Sequence, residues 1–598
     1  MRYNLKRIAR RSITIMANNG DTKRIFPVGA SNIVGVGSFH KTLPHNDYGE
    51  VDPAAFDALV DATEGTAPFG AVPEGPFIAP ATRTAPFVNP QAGLAHDHLT
   101  RHPVALDMPP APTVDSVTTA AEMTELYWMA LLRDVSFDAF AADAGVAQAA
   151  AELNGQFQAA VNDNGDAGHL KAGIDVPGAA GTLDAITPQN VFRLGLPGEE
   201  VGPLVSQFFI RNISFGTQTI DQRQRPYARD KNYLTQFNSW LNAQNSGNGD
   251  DGLAYPRANE ASANYYENTT RYISTMRDLA RFVNKDALHQ AYFNGALLLL
   301  LGGARWTPGN PYGDGGPLED REAGFGTLGG PHILALVSEV ATRALKIVWN
   351  QKWQVHLRLR PEAYAGLVHV QNIGVQGVNR PYGLPAGVSN TVAAIGVRAW
   401  NVKHNQNGED TLLLPLAFTP GSPAHPSYGA GHATVAGVCV TVLKAYFKTF
   451  DVDVNGGVNP LPLTSLREKP APYSPSHPYR AYVTHANANG TGTRVPLSAA
   501  ETAQLTIEGE LNKLAMNVAM GRSMGGVHWR TDNTRSLTLG EAIAAQILAD
   551  ITVDLAEHPE FIFRTFSRKA DGYPKIVTIR QGRIKVDGVL VDSNRSAL

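Results

Sequence analysis

The sequence predicts an all-α protein of helical bundles joined by long loops, with an extended amino-terminal arm and a short β-hairpin in the tail. Three observations carry that prediction. Apolar residues recur every three or four positions through several long stretches. Runs that alternate with period two are nearly confined to Ile576–Val591, around Gly582 and Gly588. Segments dense in Gly, Pro and Asn separate the periodic stretches.

At 598 residues and 43% apolar, the chain can hold several domains and an ample core. Its net charge of −3 comes without a basic tract, so neither nucleic acid nor an anionic membrane is indicated as a partner. Small molecules and further copies of the chain are the expected partners. Cys439 is the only cysteine, which excludes an intrachain disulfide and a thiolate metal cluster, so a bound metal would take nitrogen or oxygen ligands.

Met1 to Asn19 is basic, but its apolar part (Ile13, Ile15, Met16) falls short of the roughly 7–15 residues of a signal peptide's hydrophobic region, and it reads as a frayed tail. The apolar run at Ala296–Leu301 is far below the roughly 20 residues that span a bilayer. The compartment is left open. From Asn19 to about Ala111 the density of Pro, Gly, Asp and Thr predicts turns and short elements, an arm (1–111) that would lie on a neighbouring subunit.

The first helical half, 112–330, opens with a helix marked by Ala121, Leu126, Met129, Ala130 and Leu132, followed by another over Ala149–Val161. Asp163–Gln189 and Arg223–Ala263 read as polar loops. Tyr265–Leu301 predicts one or two long buried helices, with Ile273, Met276, Leu279, Phe282, Leu288 and Leu297 among the apolar positions. In the second half, 331–560, Ile333–Trp353, His432–Phe450, Ala499–Met520 and Leu537–Ala556 read as helices, and Gly366–Gly421 as loop. The tail is 561–598.

Three segments in the second half gather cations, small residues and histidines at predicted helix ends. Lys352 and Arg360 stand eight positions apart on what reads as one helix, with Pro361 expected to stop it. In His425–His432, small residues before an apolar helix leave backbone N–H groups free to meet an anion, Gly431 being the expected donor and Ser427 a cap. In the third, Gly525 and Gly526 let Arg522, leaving one helix, and His528, entering the next, converge. Arg522 suits two oxygens of a tetrahedral anion, His528 its central atom, and Trp529 and Asp532 their surroundings. Taken singly, each has a bland reading as a balanced helix dipole, a turn or a packed histidine. Together they describe one oxyanion site.

The pattern Lys-x7-Arg-Pro, Pro-Ser-x3-Gly-His and Arg-x5-His-x3-Asp resembles the three-part signature of the vanadium-dependent haloperoxidase and acid phosphatase superfamily. Met108–Pro112, Glu125–Leu131, Leu196–Pro203, Arg277–Ala280, Glu339–Lys346 and Gly509–Ala515 extend the resemblance to the large algal-type bromoperoxidases, from about Phe39 to Leu555. That resemblance implies two four-helix-bundle-like cores, a dodecamer built from dimers and orthovanadate as cofactor, with calcium as a candidate structural ion. It assigns His528 as the vanadium ligand, Lys352, Arg360, Arg522 and the Gly431 N–H as vanadate-binding groups, and His432, Lys352 and His425 as catalytic. Hydrogen peroxide, halide and organic nucleophiles are the implied partners, and phosphoester hydrolysis through a phosphohistidine is the alternative reading. Three positions bear on halide selectivity, Trp349, His425 and Ala430: Trp349 looks chloroperoxidase-like, whereas His425 looks bromoperoxidase-like. Ala430 replaces the serine that usually precedes Gly-His and donates to vanadate, so weaker vanadate binding is expected unless Ser427 or water compensates. Bromide and iodide oxidation with some chloride activity at acidic pH is the resulting expectation.

Overall fold

The structure, a computed structural model, describes residues 25–28, 31–95, 106–164, 185–249, 265–454, 456–469, 472, 474–569 and 572–591. The frayed tail expected over 1–19 lies outside them. A hairpin of β1 (Ile25–Val28) and β2 (Ser31–Val34) comes first. Helix α1 (Pro53–Thr63) follows, capped by the Asp52 carboxylate accepting the Ala55 N–H, with Pro53 in the first turn. A helix was not expected in the arm, because one short apolar stripe is flanked by turn residues. Nor does the described arm stand away from its own chain. Phe39, Phe56 and Leu59 bury themselves against Trp353 and Leu357, and the rings of Phe39, Phe69 and Phe87 meet Trp353 edge-on at 5.5, 5.8 and 5.5 Å.

Helices α2 (Val117–Leu131, capped by Ser116) and α3 (Ala144–Asn164) form where predicted and pack together. The short hairpin β3 (Ile213–Phe215) and β4 (Gln218–Ile220) leads to α4 (Phe237–Ser246), which lies inside a stretch read as loop. Its Phe237, Trp240 and Ala243 are buried, but the polar residues between them mask the period. The stretch 265–301 becomes two helices, α5 (Met276–Lys285) and α6 (Gln290–Leu301), because Asp286 takes an extended conformation.

Helix α7 (Gly330–Asn350) runs into a π-helical turn, Gln351–His356, which ends at Leu357 with φ +47°. Pro361 does not stop this helix. It is the first residue of the next one, α8 (Pro361–Asn372), where its fixed φ and missing N–H cost nothing. Lys352 and Arg360 therefore belong to a π turn and an extended linker, not to one helix. Helix α9 (Val392–His404) adds a second helix to a region predicted as loop. Then come α10 (Gly431–Tyr446), the hairpins β5 (Phe450–Val452) with β6 (Val458–Pro460), β7 (Arg467–Glu468) with β8 (His477–Pro478) and β9 (Tyr482–Ala486) with β10 (Gly492–Pro496), and α11 (Ala499–Gln504), α12 (Ile507–Met524) and α13 (Arg530–Asp554).

Helix α10 is central, packed against α7, α12 and α13. It meets α13 backbone to backbone: a Cβ on Gly437 would lie 2.3 Å from the Leu537 carbonyl oxygen, and one on Gly540 2.2 Å from that of Thr434. Helix α13 is long and apolar enough to cross a membrane, yet here it is a mostly buried core helix. The tail holds more than a hairpin. Strands β11 (Glu560–Arg568), β12 (Pro574–Arg580), β13 (Arg583–Val586) and β14 (Val589–Leu590) make an antiparallel sheet in that order, and β11 lies on α10 and α13 with Phe561, Phe563 and Phe566 buried. The protein is mainly helical, as expected, and one contiguous apolar core runs through both helical halves.

Candidate functional site

The carboxyl ends of α7 and α12 and the amino ends of α10 and α13 supply side chains to one end of this bundle. Lys352, buried in the π turn, donates from Nζ to the carbonyl oxygens of Pro426 (2.8 Å) and Ser427 (3.0 Å). Arg360, just before α8, donates to the carbonyl oxygens of Val527 (2.6 Å) and His425 (3.0 Å), and its Nη1 lies 3.0 Å from His528 Nε2. Its Nη2 is 2.9 Å from His425 Nδ1. Arg522, in the last turn of α12, donates to the Val283 carbonyl at 2.9 Å, which joins the site to the end of α5. Gly526, at φ +87°, reverses the chain between Arg522 and His528, where a Cβ would also strike Leu416 at 2.8 Å.

His528 Nδ1 lies 2.9 Å from Asp532 Oδ2. The carboxylate can only accept, so Nδ1 carries the proton and Nε2 keeps its lone pair. Asp532 is held in turn by the Trp529 N–H (3.0 Å), the Ser427 hydroxyl and Arg358 Nη1 (2.7 Å). Arg358 also donates to Glu122 (2.9 Å) and Thr531 Oγ1 (2.8 Å). His432, in the first turn of α10, sets Nε2 3.1 Å from Asp286 Oδ1. Its side chain is 16% exposed, whereas Lys352 and His528 are at 0% and 2%, so His432 is where the site meets solvent.

Charge binds these groups into one field. Burial holds the Lys352 ammonium well below its ordinary pKa, and Arg360 and Arg522 push the same way against Asp532. Burial, then Arg360, Lys352, Arg522 and His432, keep His528 neutral. His425 is depressed by burial, Lys352, Arg360 and His528. Asp532, which opposes this set, is itself already bonded to His528, Arg358, Ser427 and Trp529. Three buried cationic side chains converging beside a neutral imidazole suit an anion. A tetrahedral oxyanion fits the groups present: two guanidiniums, an ammonium and the Gly431 N–H, which as the first residue of α10 has no intrahelical partner, suit its oxygens, and the imidazole lone pair suits its central atom.

Every site residue named from the sequence stands at this end of the bundle. Ala430 is the N-cap of α10, giving no side-chain cap, and its N–H donates to Ser536 Oγ at 2.7 Å. Ser427 is neither a helix cap nor directed to an anion, since its hydroxyl serves Asp532. Trp349 does more than pack in α7: its indole N–H donates to the Val88 carbonyl (3.0 Å), and its ring lies 5.1 Å from His425 and 5.5 Å from Lys352 Nζ. Sequence reasoning missed Asp286, Glu122, Lys41 and Arg358. Only Arg358 left a signal, two positions before Arg360 in the same cationic segment. Lys41 donates to Glu362 (2.5 Å) and to the carbonyls of Pro420 (2.8 Å) and Ser422 (2.7 Å), fastening the arm to the loop that precedes His425. For the expected calcium ion, no cluster of three or more acidic, histidine or cysteine groups is found among the described residues.

The VCPO second helical-bundle domain matches residues 333–554. Over 554 residues, 92% of this chain and 88% of the relative, the sequence is 34% identical to a vanadium-dependent bromoperoxidase of Ascophyllum nodosum. It is 32% identical over 584 residues to a vanadium-dependent bromoperoxidase of Corallina pilulifera, covering 88% of each. Among solved structures, the homohexameric second vanadate-dependent bromoperoxidase of Ascophyllum nodosum superposes with a TM-score of 0.74 and 30% identity, over 98% of this chain and 92% of that one.

Proposed function

The chain belongs to the vanadium-dependent bromoperoxidase family, and from that premise we propose that it oxidises halide with hydrogen peroxide to hypohalous acid, using vanadate held at the bundle end. The observation that carries this reading is the buried cluster of Lys352, Arg360 and Arg522 around a neutral His528 whose Nδ1 is held by Asp532. The overall reaction consumes peroxide, halide and one proton and yields hypohalous acid and water.

Bound vanadate supplies Lewis-acid chemistry, polarising peroxide without a change of metal oxidation state. The protein's own groups do the rest. His528 offers Nε2 as the single covalent ligand, kept in that tautomer by Asp532. Lys352, Arg360, Arg522 and the Gly431 N–H spread their positive potential over the anion's oxygens. With Nε2 of His432 bonded to Asp286, its Nδ1 is the atom that would accept and return a proton as acid–base group. His425, bonded to Arg360 and facing Trp349, limits how far that guanidinium can swing.

Ala430 removes a hydroxyl donor and Ser427 is committed to Asp532, so vanadate affinity is lower by about one to two orders of magnitude than with a serine at 430. Bromide and iodide are the preferred halides, with weaker chloride oxidation in acid, and the hypohalous acid halogenates electron-rich organic compounds. The active protein is a homo-oligomer, for which a dodecamer built from dimers is the larger form proposed and a hexamer the form of the solved relative.

The test is vanadium retained after dialysis, beside bromide- and peroxide-dependent halogenation. His528→Ala is expected to lose stable retention while keeping the parent's circular dichroism, since it removes the only bond to the metal. Retention equal to the parent would place the ligand elsewhere. Phosphoester hydrolysis by the parent, with no vanadate-dependent halogenation, would replace this reading with the phosphatase one.

A further inference from the structure

Beyond Asp286, away from the bundle core, lies a cavity of about 340 Å³ that the oxyanion site does not use. It is bounded by the loop after β4, the end of α5 and the start of α6. Part of its lining is apolar: Phe209 and Phe282 meet edge to face at 4.9 Å, and Ile273 joins them. Its charged lining includes Arg223, Arg225, Arg281 and Lys285. Arg223 is neutralised by Asp221 in an exposed pair at 2.6 Å. Arg225 and Arg281 form no ion pair among the described residues. Arg225 donates to the Glu267 carbonyl at 2.6 Å, and the guanidiniums of Arg225 and Arg281 lie 5.3 and 5.7 Å from the Tyr266 ring. Arg281 Nε is buried without a hydrogen-bond partner among the described residues. At the back stands Asp286, the partner of His432.

Aromatic rings beside two guanidiniums, Arg225 and Arg281, that have no carboxylate partner among the described residues, in a volume suited to a one-ring compound, define the chemistry of an occupant. We propose that this cavity binds an aromatic carboxylate with an electron-rich ring, a hydroxybenzoate-like acid, and presents it for halogenation one side chain away from His432. The carboxylate pairs with Arg281 and Arg225, and the ring lies against Phe209 and Phe282. The inference rests on the haloperoxidase reading for its chemistry. In the step itself the O–Br bond of hypobromous acid breaks and a C–Br bond forms on the ring, while the displaced ring proton and the hydroxide leave as water. Holding the acceptor at this distance raises its local concentration over competitors free in solution.

The experiment is an internal competition between 4-hydroxybenzoate and its methyl ester, brominated together by the holoenzyme and, separately, by reagent hypobromous acid at the same pH. Free reagent sets the ratio by intrinsic reactivity. The enzyme is expected to favour the acid several-fold beyond that ratio, and Arg281→Gln to return it to the reagent value. Saturation-transfer NMR with 4-hydroxybenzoate in the absence of peroxide gives a second readout, with contact seen for the parent and lost in Arg281→Gln. A parent ratio equal to the reagent's, an unchanged preference in Arg281→Gln, or a rise in the KM for bromide as the only effect of that substitution would each overturn the proposal. Absence of halogenation together with ring contact in the NMR experiment would overturn the haloperoxidase reading and leave the binding site standing.

Discussion

Asp532 fixes one proton on His528 Nδ1, and that choice keeps a buried imidazole neutral, with the lone pair on Nε2, as the proposed vanadium ligand must be. The residues that do this were legible in the sequence because the chemistry demands particular side chains at short spacing: His528 and Asp532 are four positions apart, on the entry to a single helix. Asp286 was not legible, since it reaches His432 across 146 positions and no local pattern announces the contact. Two predictions belong to single residues. Trp349 lies against both His425 and Lys352, and we propose that its indole favours chloride, the poorly oxidised halide that gains most from desolvation. In Trp349→Arg the chloride-to-bromide rate ratio should fall several-fold; indistinguishable ratios in steady-state assays would remove Trp349 from halide selection. His356, fully buried in the π turn, has its pKa pushed down to about 3 by burial, then by Arg535 and Arg358. The unfolded chain therefore binds a proton near pH 6.5 that the native protein refuses, so this stability is full above that pH and declines as pH falls from 6.5 towards 3. His356→Gln should flatten the fall of the thermal midpoint across that window, by on the order of 3 kcal/mol at pH 4. Parallel curves for parent and variant would clear His356 of the role.

Among the elements, the periodic helices α2, α3, α5, α6, α7, α10, α12 and α13 were foreseeable, because each buries a wide apolar face. Helices α4, α8 and α9 were not, since Asn and Gly residues dilute their pattern and tertiary packing decides the outcome. The same limit hid the role of the arm. Its attachment is a buried ion pair, Lys41 with Glu362, 321 positions apart, and Glu362 also accepts the Ser422 N–H at 2.6 Å. The segment so anchored continues to Pro426 and Ser427, whose carbonyls hold Lys352. Lys41 is thus a positioning residue. Lys41→Met strands a carboxylate in the interior, at a cost of about 3–5 kcal/mol, and should weaken vanadate binding about tenfold, the scale expected when a support of a metal site is lost. The double variant Lys41→Met/Glu362→Gln should recover most of the thermal midpoint and less of the vanadate affinity. Vanadate titrations showing parental affinity in the single variant would reduce the ion pair to a structural role.

At the scale of the whole molecule, one core joins both helical halves and the tail sheet closes over α10 and α13, so the surface left open is informative. Helix α9 packs on α2 by one side. Its other side leaves Val392, Ile395 and Val402 exposed at 43, 58 and 41%. Residues 395 and 402 lie two turns apart on one face, with 392 a turn earlier, so they form a stripe instead of scattered positions. Under the homo-oligomer proposed above, a second copy of this chain is the occupant to test; the solved relative is itself a homohexamer. Ile395→Asp would place a carboxylate in that contact, where desolvation opposes association. Multi-angle light scattering on the parent should show an oligomer of six or more subunits, and the variant should shift to a smaller species with an unchanged helical circular dichroism spectrum. A parent that runs as a monomer would refute the assembly. An oligomer indifferent to Ile395→Asp would move the interface away from α9, leaving the amino-terminal arm as the surface to test next.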